Sequence, residues 1–298
     1  MFKRPALDFW KEESDHHVGI ATFCKDLDFT LGSGIPLGVI TEVCGASGSG
    51  KTQLCLQLSV SVQIPRVLGG LEGRVAYLDT KYGFSPKRLH EMGRACIEHC
   101  VKLTRARNKN PAELLADFTE ESILDNVLYA HVQTTSHIFE VIAELQSKLF
   151  QREKIRLIVI DSLSFLLRNT IKNSLERVQR AHEILTLLHK LTHRFGCAAV
   201  ITNDLTTILP RKPTPNADPL IVPTLGDSHS HKINQRIVLG RTESSHDSRH
   251  DGSHVALIEK CLFSPRVSVA FRIEREGIRS AKVPAHNGSE CMVPTPIQ

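Results

Sequence analysis

Residues 39–62 read VITEVCGASGSGKTQLCLQLSVSV. An apolar, β-branched run from Val39 to Cys44 leads without a break into GASGSGKT, Gly45 to Thr52, and then into a run of helical character, Gln53 to Val62. Strand, glycine loop and helix in that order satisfy G-x-x-x-x-G-K-[ST] in the context that gives the motif its meaning. Gly45, Gly48 and Gly50, joined by Ala46, Ser47 and Ser49, let successive amides turn inward around a phosphate chain. The helix N-terminus adds its partial positive charge, Lys51 reaches the terminal phosphates and Thr52 offers a hydroxyl to Mg²⁺. A second run, RLIVIDS, ends a strand in Asp161, whose carboxylate can hold the other side of the magnesium shell. The two runs predict a site for a nucleoside triphosphate with Mg²⁺.

Around these runs the chain alternates strands and helices. Val39 to Cys44, Arg74 to Leu78, Val127 to Val132, Ile155 to Ile160 and Cys197 to Thr202 read as strands, with stretches of helical period between them. Ile138, Val141, Ile142, Leu145 and Leu149 recur at three and four residues and predict a helix from about Thr135 to Phe150. Right-handed crossovers then give a mostly parallel sheet covered on both faces, an α/β architecture. Ile233 to Leu239, Val255 to Phe263 and Val267 to Ile273 follow without crossover helices, which predicts an antiparallel C-terminal extension. Thr206 to Pro223 holds five prolines and reads as a long mobile loop, and residues 281–298 read as a loose tail.

With 41% hydrophobic and 23% charged residues in 298, the chain has the make-up of a globular protein with one large core. The longest apolar runs fall far short of the ~20 residues that span a bilayer. The opening MFKRPALDFWKEE has no continuous apolar stretch, so neither a membrane partner nor secretion is expected. Eight cysteines without a CxxC pair read as reduced, buried thiols. The balance of 37 basic and 32 acidic residues, net +5, permits an anionic partner without specifying one.

The stretch LDFTLGSGIPLGVITEVCGASGSGKTQLCLQL, Leu27 to Leu58, followed by VQIPRVLGGLEGRVAYLDT, Val62 to Thr80, resembles the RecA-type ATPase core of the eukaryotic Rad strand-exchange recombinases. LADFTEESILDNVLYAHV, IVPTLGDSHSHKINQRIVL and SPRVSVAFRIEREGI are similar to its C-type branch, so the likeness runs from about Thr22 to Ile278. The resemblance implies a RecA-like P-loop ATPase core over 22–280 behind an N-terminal extension, 1–21. It implies an ATP- and DNA-binding protein of homologous recombination and double-strand break repair, meiosis included. That protein would act in the nucleus, on single-stranded DNA, in a hetero-oligomer with other recombinase-family subunits. Arg88 would lie against the adenine, the segment after Asp161 with Arg168 would be the first DNA loop, and the stretch around Arg211 and Lys212 the second.

Three departures from the pattern stand out. Where the family places the glutamate that activates the attacking water, the sequence LDTKYG has Lys81, which cannot act as a carboxylate base. Where the family has the glutamine that senses the terminal phosphate, it has Asp204. The third is length: about 20 residues precede the core, too few for the small helical DNA-binding domain of longer members. A Glu/Gln pair has thus become a Lys/Asp pair. Either Lys81 and Asp204 form an ion pair beside the phosphate, or Lys81 swings out to solvent or to the phosphates. The corresponding functions are a nucleotide-switched DNA-binding ATPase with weak or absent hydrolysis, and an assembly subunit with a vestigial nucleotide site.

Other signals have plainer explanations. His182, His189 and His193 share one helical stripe, but about 16 Å separates the outer two, too far for one zinc ion; only His189 and His193 could share one, and the stripe reads as solvated or subunit-facing. His246, His250 and His254 fall in a Ser/Asp/Gly-rich stretch that reads as an exposed hairpin loop. Lys102, Arg105, Arg107 and Lys109 suit the C-terminus of a helix beginning near Pro86.

Overall fold

Strands whose every position is buried can only be central strands of a sheet covered on both faces. Ile40–Gly45 is of this kind, and Arg74–Asp79 and Ile155–Asp161 nearly so. The computed structural model describes residues 19–150, 153–208, 220–226, 229–241 and 254–281, with Pro5 and Leu7. In chain order its elements are α1 (Lys25–Thr30), β1 (Ile40–Gly45), α2 (Lys51–Ser61), β2 (Arg74–Asp79), α3 (Pro86–Ala106), α4 (Pro111–Leu114), α5 (Glu120–Asp125), β3 (Val127–His131), α6 (Thr135–Phe150), β4 (Ile155–Asp161), α7 (Leu163–Thr170), α8 (Ser174–Phe195), β5 (Ala198–Ile208), β6 (Leu220–Pro223), β7 (Gln235–Arg241), β8 (His254–Lys260), β9 (Val267–Glu274) and β10 (Gly277–Ser280).

The strands lie in the order β10-β9-β8-β7-β1-β5-β4-β2-β3, with β6 paired to β5 off this path. From β7 to β3 every neighbour is parallel, which makes the mostly parallel α/β core, while β8, β9 and β10 add on antiparallel. The antiparallel extension therefore begins one strand later than the sequence suggests. Gln235–Arg241 pairs parallel with β1, Gly45 opposite Leu239, because the chain leaves β5 on one side of β1 and returns on the other. The proline-rich stretch is also less irregular at its shoulders than expected: Leu205 to Ile208 pair antiparallel with Leu220 to Pro223. Residues 209–219 lie outside the described residues, as do 282–298.

Helices cover both faces. Leu54, Leu58, Leu89, Met92 and Cys96 of α2 and α3 pack on Val43, Tyr77 and Val159. Ile138, Ile142, Leu145 and Leu149 of α6 share the opposite layer with Leu166, Ile184 and Leu188 of α7 and α8. Six of the seven described cysteines are buried and all seven are free thiols. The helix α3 starts at Pro86 behind the N-cap Ser85 and carries Arg105 in its last turn. His254 is a correction: it opens β8, is buried and lies against the Phe271 ring instead of in an exposed loop, whereas His246 and His250 lie outside the described residues. His189 meets the Lys232 carbonyl at 2.6 Å. Among the described residues no helix is long and apolar enough to cross a membrane.

Candidate nucleotide site

All parallel strands point their carboxyl ends to one edge of the sheet, and the predicted phosphate residues gather there. Gly45 ends β1, and the loop turns through Gly48 and Gly50, whose φ of 78° and 99° are left-handed values that suit glycine. A Cβ on Gly45 would fall 2.2 Å from Ser49 Oγ and 2.7 Å from the Leu239 carbonyl oxygen, so the loop closes tightly under the first helical turn. Among the described residues no side chain caps α2: its N-cap is Gly50, which leaves the first amides of the helix to an external acceptor. Ser49 Oγ is buried and, among the described residues, has no hydrogen-bond partner. A glycine cradle, an uncapped helix start and an orphan hydroxyl are what a polyphosphate group fits.

The metal-binding pair predicted from sequence is assembled. Thr52 Oγ1 donates to Asp161 Oδ2 at 2.6 Å, Thr202 Oγ1 donates to Oδ1 at 2.6 Å and the Tyr77 hydroxyl reaches Oδ2 at 3.2 Å. Asp161 is buried, with its carboxylate held at the end of β4 against α2. A hydroxyl and a carboxylate in contact are hard oxygen donors of the kind Mg²⁺ takes together with substrate phosphate and water.

The Lys81–Asp204 alternative resolves in favour of the ion pair. Lys81 Nζ donates to Asp204 Oδ2 at 2.8 Å. Lys51 joins them: its Nζ lies 3.2 Å from Asp204 Oδ1 while donating to the carbonyls of Gly45 at 2.7 Å and Ala46 at 2.9 Å. Burial alone would raise the Asp204 carboxyl, but the hydrogen bond and charge of Lys81 and the charge of Lys51 hold it below the usual value.

Two buried acids outside the phosphate motif keep this edge in shape. Asp79, at the end of β2, accepts from the amides of Lys81 at 2.9 Å, Gly83 at 3.2 Å and Phe84 at 3.0 Å, and so folds the turn that presents Lys81. Glu42 in β1 accepts from Arg236 Nε at 2.6 Å and Asn203 Nδ2 at 2.9 Å, and its Oε1 lies 3.0 Å from His229 Nε2. Burial would push the Glu42 carboxyl up, but the His229 hydrogen bond and the Arg236 charge take it down to about 2. A glutamate in the middle of a fully buried strand was the available signal, since such a charge has to be paired.

Arg88 is also engaged. Its guanidinium bonds Gln53 Oε1 at 2.8 Å and the carbonyls of Glu274 and Arg275, each at 2.5 Å, so it ties α2 and α3 to the β9–β10 turn. Arg168 is exposed in the last turn of a helix, not in a loop: Leu163, Leu166 and Leu167 bury one face of α7 behind the Ser162 cap. Arg211 and Lys212 lie outside the described residues.

The sequence profile of the Rad51 family matches residues 13–110 and 107–280. The chain is 30% identical over 275 residues to the DNA repair protein RAD51 homolog 3 of Cricetulus griseus, covering 92% of this chain and 72% of that protein. It is 34% identical to the protein of the same name from Dictyostelium discoideum, covering 78% of this chain and 60% of the relative. The DNA repair protein XRCC3 homolog of Arabidopsis thaliana is 28% identical, with 87% and 92% covered. Fold, phosphate loop and relatives agree, and the chain belongs to the Rad51 family of RecA-type recombinases and their paralogues.

Proposed function

We propose that this protein is an ATP- and Mg²⁺-binding recombinase paralogue that acts in the nucleus, in homologous recombination and double-strand break repair, meiotic recombination included. It works as one subunit among related recombinase-family subunits. The observation that carries this is the cluster at the carboxyl edge of the sheet, where Lys51, Thr52 and Asp161 surround a glycine cradle and an uncapped helix start. Bound magnesium supplies charge neutralisation for the phosphates. Thr52 and Asp161 would hold it, the loop amides and Lys51 would hold the phosphates, and Arg88 would lie against the adenine.

Lys81 stands where a carboxylate base would be needed, so nucleotide acts here chiefly as a switch. A ligand that binds the assembled state stabilises that state by mass action even when turnover is slow. Single-stranded DNA is contacted through Arg168, Arg211 and Lys212. Three phosphate contacts give log K a slope against log salt of about −2.

The test is one titration of labelled ATP with and without single-stranded DNA, with phosphate release followed alongside, on the wild type and on Lys51→Ala. Tight ATP binding, slow release and joint loss of nucleotide and DNA binding in the variant are expected. Folded protein that ignores millimolar ATP, or a Lys51→Ala variant that binds DNA and partners normally, would favour an assembly subunit with a vestigial site.

A further inference from the structure

The carboxylate of Asp204 touches both cations of the site. Oδ1 lies 3.2 Å from Lys51 Nζ, and Oδ2 lies 2.8 Å from Lys81 Nζ. Lys81 also passes over the Phe165 ring at 5.2 Å, which holds its chain across the site instead of out in solvent. The backbone of residue 204 is fixed on two sides: its N–H donates to Ser164 Oγ at 3.0 Å and its carbonyl accepts from the Thr224 amide at 2.8 Å. Asp204 also sits in register with Gly45, the first residue of the phosphate loop. Its side chain can rotate, but its Cα cannot retreat from the loop.

A carboxylate is chemically an oxyanion of the same hardness as a phosphate oxygen, and it already occupies the lysine that the loop uses for phosphate. We propose that Asp204 is a built-in competitor for the terminal phosphate of a nucleoside triphosphate, bound to Lys51 and Lys81 until that phosphate takes both cations from it. This makes Asp204 and Lys81 specificity-determining residues rather than catalytic ones. A diphosphate, which ends one phosphate earlier, leaves the Lys81–Asp204 contact alone. A triphosphate has to break it and gains two ammonium partners in return. Because the Asp204 backbone bonds Ser164 of α7 and Thr224 next to β6, rotation of the carboxylate is felt where α7 and the β5–β6 hairpin leave the sheet.

The inference rests on the nucleotide reading above, and the experiment separates the two. ATP and ADP affinities are measured by titration with fluorescent analogues on the wild type, Asp204→Asn and Lys81→Met, with the thermal midpoint of each unliganded protein as a folding check. Removing one charge from a pair only partly open to solvent is expected to change affinity about tenfold. Asp204→Asn should therefore bind ATP about tenfold more tightly, and Lys81→Met about tenfold more weakly, with ADP moved less than about threefold in either. If Asp204→Asn weakens ATP binding or moves ATP and ADP equally, Asp204 is a neutralising partner and the competitor idea is overturned. Should Asp204→Asn melt well below the wild type, Asp204→Ser at the same position carries the same sign. A wild type that binds ADP and ATP sustains the nucleotide reading whatever the variants do; one that binds neither ends both.

Discussion

Replacing Glu42 by glutamine tests whether the phosphate-loop strand is held by a buried charge network. Glu42 has no solvent exposure, and its partner Arg236 is 7% exposed. The variant keeps the shape and an acceptor for Asn203 but takes the buried carboxylate from Arg236 Nε, whose other acidic partner among the described residues, Glu259, lies 3.3 Å from Nη1 at the surface. Two routes give the size of the effect. A carboxyl brought from the ordinary glutamate value of 4.5 to about 2 reports about 3 kcal/mol of preference for its charged form. Breaking a buried ion pair from one side costs about 3–5 kcal/mol. The routes agree, and for a core of this size each kcal/mol is about 2–4 °C in the midpoint, so Glu42→Gln should melt about 6–12 °C lower at pH 7. The pH dependence has a definite sign. The folded carboxyl lies below the unfolded one, so the stabilisation is fully present above about pH 4.5 and fades as pH falls toward about 2. Melts of wild type and variant followed by circular dichroism at pH 7 and near pH 3 are the assay: the gap between them should narrow at the lower pH. A loss under about 1 kcal/mol at pH 7, or a gap that does not change with pH, refutes the reasoning.

Two further outcomes follow from the same geometry. Gly45→Ala puts a Cβ against the Leu239 carbonyl, a backbone atom of the paired strand β7 that cannot rotate away; a loss of about 1–3 kcal/mol in urea unfolding with loss of ATP binding is expected, and unchanged values would contradict the tight loop. Arg88→Ala removes the donors to Glu274 and Arg275, so amide exchange in β10 should rise about tenfold or more, with Arg88→Lys a poor substitute because one ammonium cannot span the same acceptors; protection equal to wild type would show that the turn does not depend on Arg88.

Much of the core could be read from local pattern. The helix Thr135–Phe150 appears with the bounds its apolar spacing predicts, and the first five strands begin within a residue of where β-branched runs begin. The phosphate loop was legible because its chemistry is contiguous: cradle, cation and hydroxyl lie within eight residues from Gly45 to Thr52. What escaped depends on pairing between distant segments. Nothing local to Gln235–Arg241 says that it lies beside β1, 194 residues away along the chain by the Thr41–Gln235 bond, and parallel to it. The strands β6 and β10 are four residues each, too short for period to declare them. The resemblance puts Arg168 in a loop, although Leu163, Leu166 and Leu167 already carry helical spacing.

The two substitutions at the carboxyl edge make sense only together. Lysine alone at 81 would put a second ammonium group beside Lys51 with no counter-charge, and like charges at such range raise the cost of each being protonated. Aspartate alone at 204 would put a carboxylate against the phosphate position, with Lys51 as its single partner. Side by side they close a chain, Lys51 to Asp204 to Lys81, in which each charge is answered within 3.2 Å. The chain also has a mechanical consequence. Asp79 fixes the turn that carries Lys81, Glu42 and Asn203 fix β1 to β5 one residue before Asp204, and so the bridge spans two rigid supports. A change at the phosphate position can then be accommodated mainly by rotating the Asp204 carboxylate, the softest member of the set. This is why Asp204→Asn, more than any change at Lys81, decides between a switch and a static neutral pair.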